Sequence, residues 1–587
     1  MSTTNDMVNG AAFALKNEPV DTSRPMKVRV IGAGFSGILA AIRIPERLRN
    51  IDLVVYEKNE GIGGVWWLNK YPGLACDVPS HSYQYTFAPN PHWSSLYAPG
   101  AEIQRYLQGV AEKFGATRFI KTQHKLLQCV WNAERKKWTL QIQRTGSGET
   151  FEENDIDVLI TARGLLNEPS WPNVPGLDKY RGKLLHSAEW DDGYDFRHKR
   201  VGVVGNGSSS IQIVPSLQPL EGIKMTVFMR SQTWISGAFG DAAMLALGLD
   251  PNEINFTPEQ REAFARDPEG YLRMRKVIED GGNLIHDSTI RGTDMQKQFV
   301  AEFTASMKQR LAKKPELFNA IIPTFAPGCR RLTPGKGYLE ALTEDNVEVC
   351  NESIVEITET GVKLASGREV EVDALACATG FRTSAPPNFE VVGKHGMTLA
   401  QRWKTHPESY MSMMVDGFPN YLMMFGPNSA IGFGSLTKIL ENECDYCVKV
   451  LRKLQKEDYA TIEPKPERVK DFQQYIGAYF SKTVYVDKCK SWYRSEGGQG
   501  NWIIGLWPGS TLHALDALRS PRWEDFVSIV YESVDPTGNA LRWLGDGWSV
   551  SQTKGDPSWY LNPDEIDWPV EGKPEENPRF KARPWSH

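Results

Sequence analysis

Two glycine-rich segments of this chain have the spacing of dinucleotide-binding turns. Gly32-Ala-Gly34-Phe-Ser-Gly37 follows the apolar run 28–31, and Gly205-Asn-Gly207-Ser-Ser-Ser210 follows the apolar run 201–204. Each pattern predicts a strand, a tight turn and the start of a helix, where free amide groups and the helix dipole can bind a pyrophosphate. One such motif is weak evidence. Two of them with the expected flanks predict two bound dinucleotides, and therefore an enzyme that passes electrons between them.

The end of the second strand in each unit distinguishes the two nucleotides. Glu57 and Arg230 each lie 25 positions after the first glycine of their motif, from 32 to 57 and from 205 to 230, which predicts equivalent places in two similar folds. A carboxylate there accepts hydrogen bonds from a ribose 2′-hydroxyl, whereas a guanidinium binds a 2′-phosphate. Either residue alone could be an ordinary surface charge. Two residues of opposite charge at the same distance from their glycine motifs are less easily explained in that way. The first site is therefore predicted to bind FAD (or NAD), and the second NADP.

Small hydroxyl residues extend the second motif. Ser208, Ser209 and Ser231 could donate hydrogen bonds to phosphate oxygens, although solvated loop serines are the commoner case. Ser210 takes the place of the third glycine or alanine, where a small residue lets the helix pack on its strand. We treat this as a mild departure from the motif.

Composition restricts the class of protein. The 587 residues carry 67 basic and 72 acidic side chains, a formal charge of −5, with no basic block, which argues against binding to nucleic acid or to an acidic membrane surface. The eight cysteines have no framework spacing and are expected to be reduced thiols, and Cys444 and Cys447 form an incidental pair. The first 25 residues lack the apolar core of a signal peptide, and no run approaches the ~20 apolar residues that span a bilayer. We therefore expect a cytoplasmic protein without a membrane span. We also expect no metal site, and the sequence does not indicate an oligomeric state.

The order of patterns along the chain predicts an α/β protein with two Rossmann-like dinucleotide-binding domains and a helical insertion. Residues 131–142 read as a hairpin, 435–454 as a helix, and Thr257-Pro-Glu-Gln260 as a capping box. The predicted parts are a disordered tail at 1–25, a discontinuous FAD domain at 26–165 and 380–549, an NADP domain at 166–379 with its insertion at 236–325, and an extended tail at 550–587.

A longer signature lies between the glycine motifs: Tyr180-x-Gly182-x-x-x-His186-x-x-x-Trp190-Asp191. With it, the chain resembles the class B flavin-dependent monooxygenases, specifically the type I Baeyer–Villiger monooxygenases, and most of all their fungal secondary-metabolism branch. That family has Phe where Tyr180 stands, and the Trp-Asp ending favours it over the amine- and sulfide-oxidising flavoenzymes. Further matching segments, in order, are Gly63-Gly-Val-Trp66, Tyr71-Pro-Gly73, Cys76-Asp77, Cys329-Arg-Arg331, Ala378-Thr-Gly380, Gly417-Phe-Pro-Asn420 and Trp507-Pro-Gly509. Ala162-Arg163-Gly164 replaces the first Ala-Thr-Gly-like turn of the family.

The resemblance implies which residues bind the cofactors FAD and NADPH. Those implied for FAD, beyond the glycines and Glu57, are Val65, Trp66, Trp67, Leu68, Asp77, Val78 and Tyr83, with Leu126 touching the adenosine end through its backbone. Those implied for NADP are Ala75, Cys76 and Asp77 on the nicotinamide side, and Gly205, Asn206, Gly207, Ser208, Ser209, Ser210, Ile211, Arg230 and Ser231 on the rest of the molecule.

The resemblance also implies the reaction. An NADPH- and dioxygen-dependent enzyme would convert a ketone to an ester or lactone through an anionic peroxyflavin, and Arg331 matches the active-site arginine of the family. Arginine suits this task because it keeps its proton at working pH and can stabilise first the peroxide anion and then the oxyanion. We expect Asp77 to pair with Arg331 and hold its plane, and the adjacent Arg330 to have a surface role.

Other residues around this centre have supporting roles in the prediction. A polyketide or terpenoid ketone is the substrate that the fungal resemblance suggests, in a pocket lined by the insertion. Ser491-Trp-Tyr-Arg494, followed by glycines, is expected to form a mobile lid, with Trp507 walling the active site beyond it. His186 is more simply a structural histidine at a domain junction than a proton donor.

Two alternatives remain open, and a third is set aside. The same cofactors could serve a protonated hydroperoxyflavin that oxygenates nitrogen or sulfur, or that epoxidises or hydroxylates carbon. A flavin-binding module without turnover is disfavoured by the intact NADP motif and by Arg331. A disulfide reductase needs a cysteine pair near the flavin, and Cys76 is single in its region.

Overall fold

The computed structural model describes residues 13–236, 244–245, 248–250, 253–530, 539, 541–554, 557–558 and 561. These form two compact units. One comprises the described residues within 1–24, 456–458 and 530–587, and the other those within 25–455 and 459–529. In the smaller unit, the Lys16 ammonium lies 3.0 Å from the Asp458 carboxylate. Residues 1–12 of the predicted disordered tail and 562–587 of the predicted extended tail lie outside the described residues.

The strands of the described residues fall into several sheets. In chain order they are β1 Met26–Ile31, β2 Ile51–Tyr56, β3 Ile120–Lys121, β4 His124–Asn132, β5 Lys137–Arg144, β6 Thr150–Ile156, β7 Val158–Thr161, β8 Lys183–His186, β9 Arg200–Val204, β10 Lys224–Phe228, β11 Ile235–Ser236, β12 Thr333–Pro334, β13 Val347–Cys350, β14 Ile354–Ile357, β15 Gly361–Leu364, β16 Glu369–Glu371, β17 Ala374–Cys377, β18 Glu390–Val392, β19 Tyr421–Met423, β20 Tyr459–Pro464 and β21 Phe526–Val530.

Two five-stranded parallel sheets carry the glycine turns. The first has the order β19-β7-β1-β2-β3, so residues 421–423 join a sheet whose other strands precede residue 162. The second has the order β13-β10-β9-β17-β8. Val28 and Val30 of β1 and Val201 and Val203 of β9 are fully buried, as expected for strands covered on both faces. The predicted α/β class, with a parallel sheet at each glycine motif, is confirmed.

Smaller sheets complete the strand arrangement. The predicted hairpin is present as β4 and β5, which pair antiparallel from His124↔Arg144 to Asn132↔Lys137. It is longer than predicted, and β6 and β18 extend it to a four-stranded sheet in the order β18-β4-β5-β6. The strands β14-β15-β16 form a separate antiparallel sheet.

The described helices range from single turns to the 21 residues of the longest. Those described are α1 Phe35–Arg47, α2 Val65–Leu68, α3 Gly100–Lys113, α4 Ser208–Leu217, α5 Pro258–Arg266, α6 Pro268–Leu284, α7 Asp294–Arg310, α8 Phe318–Ile321, α9 Tyr338–Leu342, α10 Leu399–Arg402, α11 Leu436–Lys456, α12 Pro466–Phe480, α13 Ser495–Gly498, α14 Thr511–Ala517 and α15 Val550–Lys554. The helix predicted at 435–454 is confirmed as α11, whereas α15 is a short helix at the start of the tail predicted to be extended. Across the described residues, no helix combines the length and apolar composition that a bilayer crossing needs.

The predicted helical insertion contains α5, α6 and α7. Thr257 forms the predicted capping box with Gln260 at the start of α5, and the Asp267 carboxylate accepts a hydrogen bond of 2.8 Å from the Gly270 amide at the start of α6. Residues 237–243, 246–247 and 251–252 of the predicted insertion lie outside the described residues.

A disulfide corrects one expectation from composition. Cys329 and Cys489 are bonded, with a Cα–Cα distance of 6.4 Å, although the sequence predicted reduced thiols throughout. The prediction was wrong here because 160 residues separate the two cysteines along the chain, so no local spacing reveals the pair. The six other cysteines, including Cys444 and Cys447, are free and buried.

Candidate active site and nucleotide-binding turns

The first glycine turn is closed too tightly for any other residue type. Gly32 follows β1 with φ of +106°, and a Cβ atom there would lie 2.6 Å from the Ala162 carbonyl oxygen. A Cβ atom on Gly37, in the first turn of α1, would lie 1.8 Å from the Gly32 carbonyl oxygen. The N-terminus of α1 therefore sits directly on the end of β1, which is the arrangement that receives a pyrophosphate.

Glu57 is fixed beside this turn. Its carboxylate accepts hydrogen bonds from the Ala33 amide at 2.8 Å and from the Asn59 amide at 2.9 Å, and the residue is only 4% exposed. The β1–β2 register pairs Ile31 with Tyr56, so Gly32 lies opposite Glu57. A carboxylate held in this place fits a ribose hydroxyl pair of a dinucleotide.

The segment after the turn bears the residues that the resemblance assigns to FAD. The Gly63 amide donates to the Ala33 carbonyl at 2.9 Å, which brings α2 against the glycine turn. The Trp66 indole donates to the Tyr83 hydroxyl at 3.3 Å. The implied FAD residues of this region are only partly buried and can contact a ligand: Val65, Trp66, Trp67, Leu68, Asp77, Val78 and Tyr83. Leu126 in β4 is 3% exposed, which fits the implied contact through its backbone.

The second glycine turn repeats the first. Gly205 has φ of +121°, and a Cβ atom there would lie 2.4 Å from the Ala378 carbonyl oxygen. Helix α4 begins at Ser208, whose hydroxyl lies 2.6 Å from the Thr333 hydroxyl. Ser210 is fully buried, so a serine does fit where the motif has glycine or alanine. The Asn206 amide group donates to the Ser231 carbonyl and joins the turn to the loop after β10.

Arg230 and Glu57 are not in equivalent positions, although their sequence offsets match. The β9–β10 register pairs Val204 with Phe228, so Gly205 lies opposite Met229, and Arg230 is one residue farther along. Arg230 is exposed, whereas Glu57 is buried. The predicted equivalence was therefore wrong by one residue, because the two strand pairs differ in register.

One residue of α4 holds the segment that the resemblance assigns to the nicotinamide side. The Gln212 side chain accepts from the Tyr71 hydroxyl at 2.8 Å and donates to the Ala75 carbonyl at 2.9 Å. This contact places Ala75 beside the helix of the second turn. Burial, together with the neighbouring Asp77 carboxylate, raises the pKa of the Cys76 thiol, so it stays protonated.

Arg331 and Asp77 form a bidentate ion pair, as predicted. The guanidinium Nε lies 2.9 Å from Asp77 Oδ2 and Nη2 lies 2.7 Å from Oδ1. Burial disfavours the charge, but the Asp77 carboxylate and the Tyr493 hydroxyl outweigh it and raise the pKa of Arg331 above its usual value. About a quarter of each side chain remains exposed, at 25% and 24%. This is a permanently charged donor, fixed in plane and open to a ligand.

Arg330 does not have the surface role that we expected. Its side chain points to the second turn: Nη1 donates to the Ser231 hydroxyl at 3.1 Å and to the Gln232 carbonyl at 2.9 Å, and Nη2 lies 3.8 Å from the Cβ position of Gly207. Burial lowers its pKa to about 10, so it is charged near neutral pH. The two adjacent arginines thus contact different segments, Arg330 the loop of Ser231 and Arg331 the Asp77 carboxylate, and the sequence alone did not indicate which would contact which.

The remaining predicted residues have structural contacts. Burial lowers the pKa of His186 to about 4, although hydrogen bonding to the backbone of Ser170 and Gly380 opposes this shift, so the imidazole is neutral at working pH. Trp507 is 3% exposed, and its indole donates to His513 at 2.9 Å, so it offers little surface to a ligand. In the predicted lid, the Arg494 guanidinium donates to the Gly500 carbonyl at 2.7 Å.

Comparison with known proteins identifies the family. Residues 25–244 match the family model of flavin-binding monooxygenase-like proteins. The FAD-binding monooxygenase tazF of Aspergillus terreus is 38% identical over 549 residues, which covers 92% of this chain and 96% of that protein. This chain belongs to the flavin-binding monooxygenase family. The predicted enzyme class, a flavin-dependent monooxygenase, and its flavin cofactor are thereby confirmed.

Further relatives of this monooxygenase bear on the resemblance. A Baeyer–Villiger monooxygenase of Streptomyces coelicolor is 32% identical over 489 residues, covering 83% of this chain and 89% of that protein. A solved structure of an oxidised steroid monooxygenase bound to NADP has a TM-score of 0.70 at 26% identity, covering 87% of this chain and 100% of that one. A closed crystal structure of cyclohexanone monooxygenase has a TM-score of 0.74 at 23% identity, with 87% and 100% covered, and shares the fold. The predicted resemblance to Baeyer–Villiger monooxygenases is confirmed.

Proposed function

We propose that this monooxygenase binds FAD at the first glycine turn and NADPH at the second, and that it uses dioxygen to convert a ketone to an ester or lactone. The observation that carries the proposal is the Arg331–Asp77 pair, which presents a fixed positive charge at a partly open position. The Gln212 contacts to Tyr71 and Ala75 support it, because they tie the segment that bears Asp77 to the second turn.

Flavin reduced by NADPH would supply activated dioxygen at this site. The protein's own contribution is charge and position. Arg331 would stabilise the negative charge that develops on the reacting oxygen atoms, and it has no proton to lose at working pH. Asp77 would keep the guanidinium plane fixed, so that little reorganisation is needed during the reaction. Glu57 would bind the ribose of FAD, and Arg230 and Arg330 would face the phosphates of NADPH.

The helical insertion lies behind a loop that borders the active-site arginine, and the relatives of this chain support a bulky ketone as the substrate. Gly282 of α6 lies against the loop that contains Gly434, with 3.6 Å between its Cβ position and the Gly434 Cα. The same loop reaches the active-site arginine, because Arg331 Nη1 lies 3.5 Å from the Gly432 carbonyl oxygen. The insertion therefore packs against the loop that borders Arg331. The similarity to a steroid monooxygenase and to fungal FAD-binding monooxygenases is consistent with a large secondary-metabolite ketone as the substrate. The cytoplasmic location of the protein stays a prediction.

Product analysis tests the proposal. The purified protein should be yellow, should consume NADPH in air faster when a bulky ketone is added, and should place one atom of isotopically labelled dioxygen in an ester or lactone. Arg331→Ala should lose roughly 100-fold or more of the ester-forming rate, whereas the exposed Arg181→Ala should match the wild type. If a sulfide or amine is oxygenated and every ketone is returned unchanged, the Baeyer–Villiger assignment is wrong.

A further inference from the structure

Three cations come together beside the second glycine turn. Arg230 follows β10, and Arg330 reaches the same loop through its hydrogen bonds to Ser231 and Gln232. Lys490 lies within electrostatic range of both arginines: burial first, and then Arg230 and Arg330, lower its pKa. Arg230 and Arg330 are assigned above to NADPH, but Lys490 belongs to a distant part of the chain and has no role in that assignment.

The disulfide explains how Lys490 reaches this place. Cys329 and Cys489 immediately precede Arg330 and Lys490, and their Cα atoms are 6.4 Å apart. The two cations are therefore the next residues on two cross-linked segments. Asp487, the nearest acidic residue in this segment, is occupied elsewhere: its carboxylate accepts from Arg291 at 2.5 Å and from the Ala326 amide at 3.0 Å.

The cluster lacks an acidic counterpart. In the part of the chain that the structure describes, no carboxylate lies within ion-pair distance of Arg230, Arg330 or Lys490. Like charges gathered at one place repel each other, and this repulsion is relieved by binding an anion. Three donors around a loop that bears the Ser231 hydroxyl fit a phosphate monoester, which carries up to two negative charges and several acceptor oxygens.

We propose that Lys490 binds the 2′-phosphate of NADPH together with Arg230, and that the Cys329–Cys489 disulfide holds it there. The inference rests on the proposed NADP site and adds a residue that determines cofactor specificity. Lys490 contributes a compact charge from the segment that leads into the lid, while Arg230 contributes a planar donor from the strand end. The enzyme thus prefers NADPH to NADH through two separate segments of the chain, and the disulfide fixes the segment of Lys490 to that of Arg330.

Equilibrium binding to the FAD-loaded full chain tests this without turnover. Titration would compare NADP⁺ with NAD⁺, and adenosine 2′,5′-bisphosphate with adenosine 5′-phosphate. Lys490→Met should weaken binding of NADP⁺ and the bisphosphate by roughly 10-fold, as expected for one charged contact, and leave the other two ligands within about twofold. The matched control is Lys488→Met, an exposed lysine on the other side of Cys489, which should change none of the four affinities.

The disulfide is tested by the double variant Cys329→Ala/Cys489→Ala, which should show the same selective loss as Lys490→Met while retaining FAD. Wild-type NADP⁺ affinity in Lys490→Met, or an equal loss for NADP⁺ and NAD⁺, overturns the assignment of Lys490 to the 2′-phosphate. Wild-type affinity in the double variant overturns the role of the disulfide. Arg230→Ala distinguishes an error in the role of Lys490 from an error in the NADP site. If this variant binds NADP⁺ with wild-type affinity, NADP⁺ does not bind at the second glycine turn as proposed.

Discussion

Replacing Asp77 by asparagine removes one charge and leaves the shape of the active site nearly unchanged. Asp77 accepts two hydrogen bonds from Arg331, at 2.9 and 2.7 Å. Asparagine keeps one acceptor oxygen but presents an amide group to the second guanidinium nitrogen, where two donors then oppose each other. Arg331 retains the Tyr493 hydroxyl and a long contact of 3.5 Å to the Gly432 carbonyl, so its plane is no longer fixed on both edges.

The size of the effect follows from the bond that is lost. A hydrogen bond between charged groups contributes about 1.5–3 kcal/mol. Because about a quarter of each side chain is exposed, we take a value in the lower half of that range, about 2 kcal/mol. If the transition state needs the guanidinium in this plane, the same amount appears in the barrier, and kcat for ester formation falls roughly 30-fold.

The assay is the ratio of ester formed to NADPH consumed, at saturating ketone and NADPH. We expect Asp77→Asn to lower kcat and this ratio together, with the KM for NADPH nearly unchanged. Asp195→Asn is the control, because it removes a carboxylate from an exposed ion pair with Arg197 at 2.8 Å. If Asp77→Asn keeps kcat and coupling within twofold of the wild type, Asp77 does not position Arg331 for the reaction.

Three further predictions concern ligand binding and stability. Gly37→Ala should abolish FAD retention, because its Cβ would lie 1.8 Å from the Gly32 carbonyl oxygen; flavin absorbance after gel filtration measures this. Gly109→Ala in α3, where no atom lies within 4 Å of the Cβ position, should instead raise the free energy of unfolding by about 0.5–1 kcal/mol in a denaturant titration. Burial raises the pKa of Glu443 from 4.5 to about 7, so the folded protein holds a proton that the unfolded chain releases, and stability falls as pH rises through this window. Glu443→Gln should therefore raise the Tm near pH 8 and leave it unchanged near pH 4, and an equal shift at both values would contradict this reasoning.

The sequence predicted well wherever the determining contacts are local. The glycine turns, the capping box at Thr257 and the hairpin of β4 and β5 depend on residues within a few positions of each other. Backbone conformation and hydrogen bonding fix such features before any tertiary packing. The sequence alone could not show that the site residues implied by the family resemblance lie together, because Arg331 and Asp77 are 254 residues apart and meet only in the folded chain.

Outside these motifs, the sequence did not indicate which partners the charged side chains would contact. Arg330 and Arg331 are neighbours of one type, yet one donates to Ser231 and the other to Asp77. No periodicity distinguishes them, because the direction of each depends on the segments that pack around it. The disulfide was missed for the same reason, and with it the position of Lys490.

The amino-acid sequence by itself determined the two dinucleotide turns, the charge at the end of each second strand and the family, because these reside in short contiguous patterns. Tertiary structure alone decided that Arg230 lies one register position beyond the counterpart of Glu57, and that Cys329 bonds to Cys489. Strand register and long-range cross-links depend on how whole layers pack against each other. That packing is a sum over many weak contacts between distant residues, which no single motif encodes.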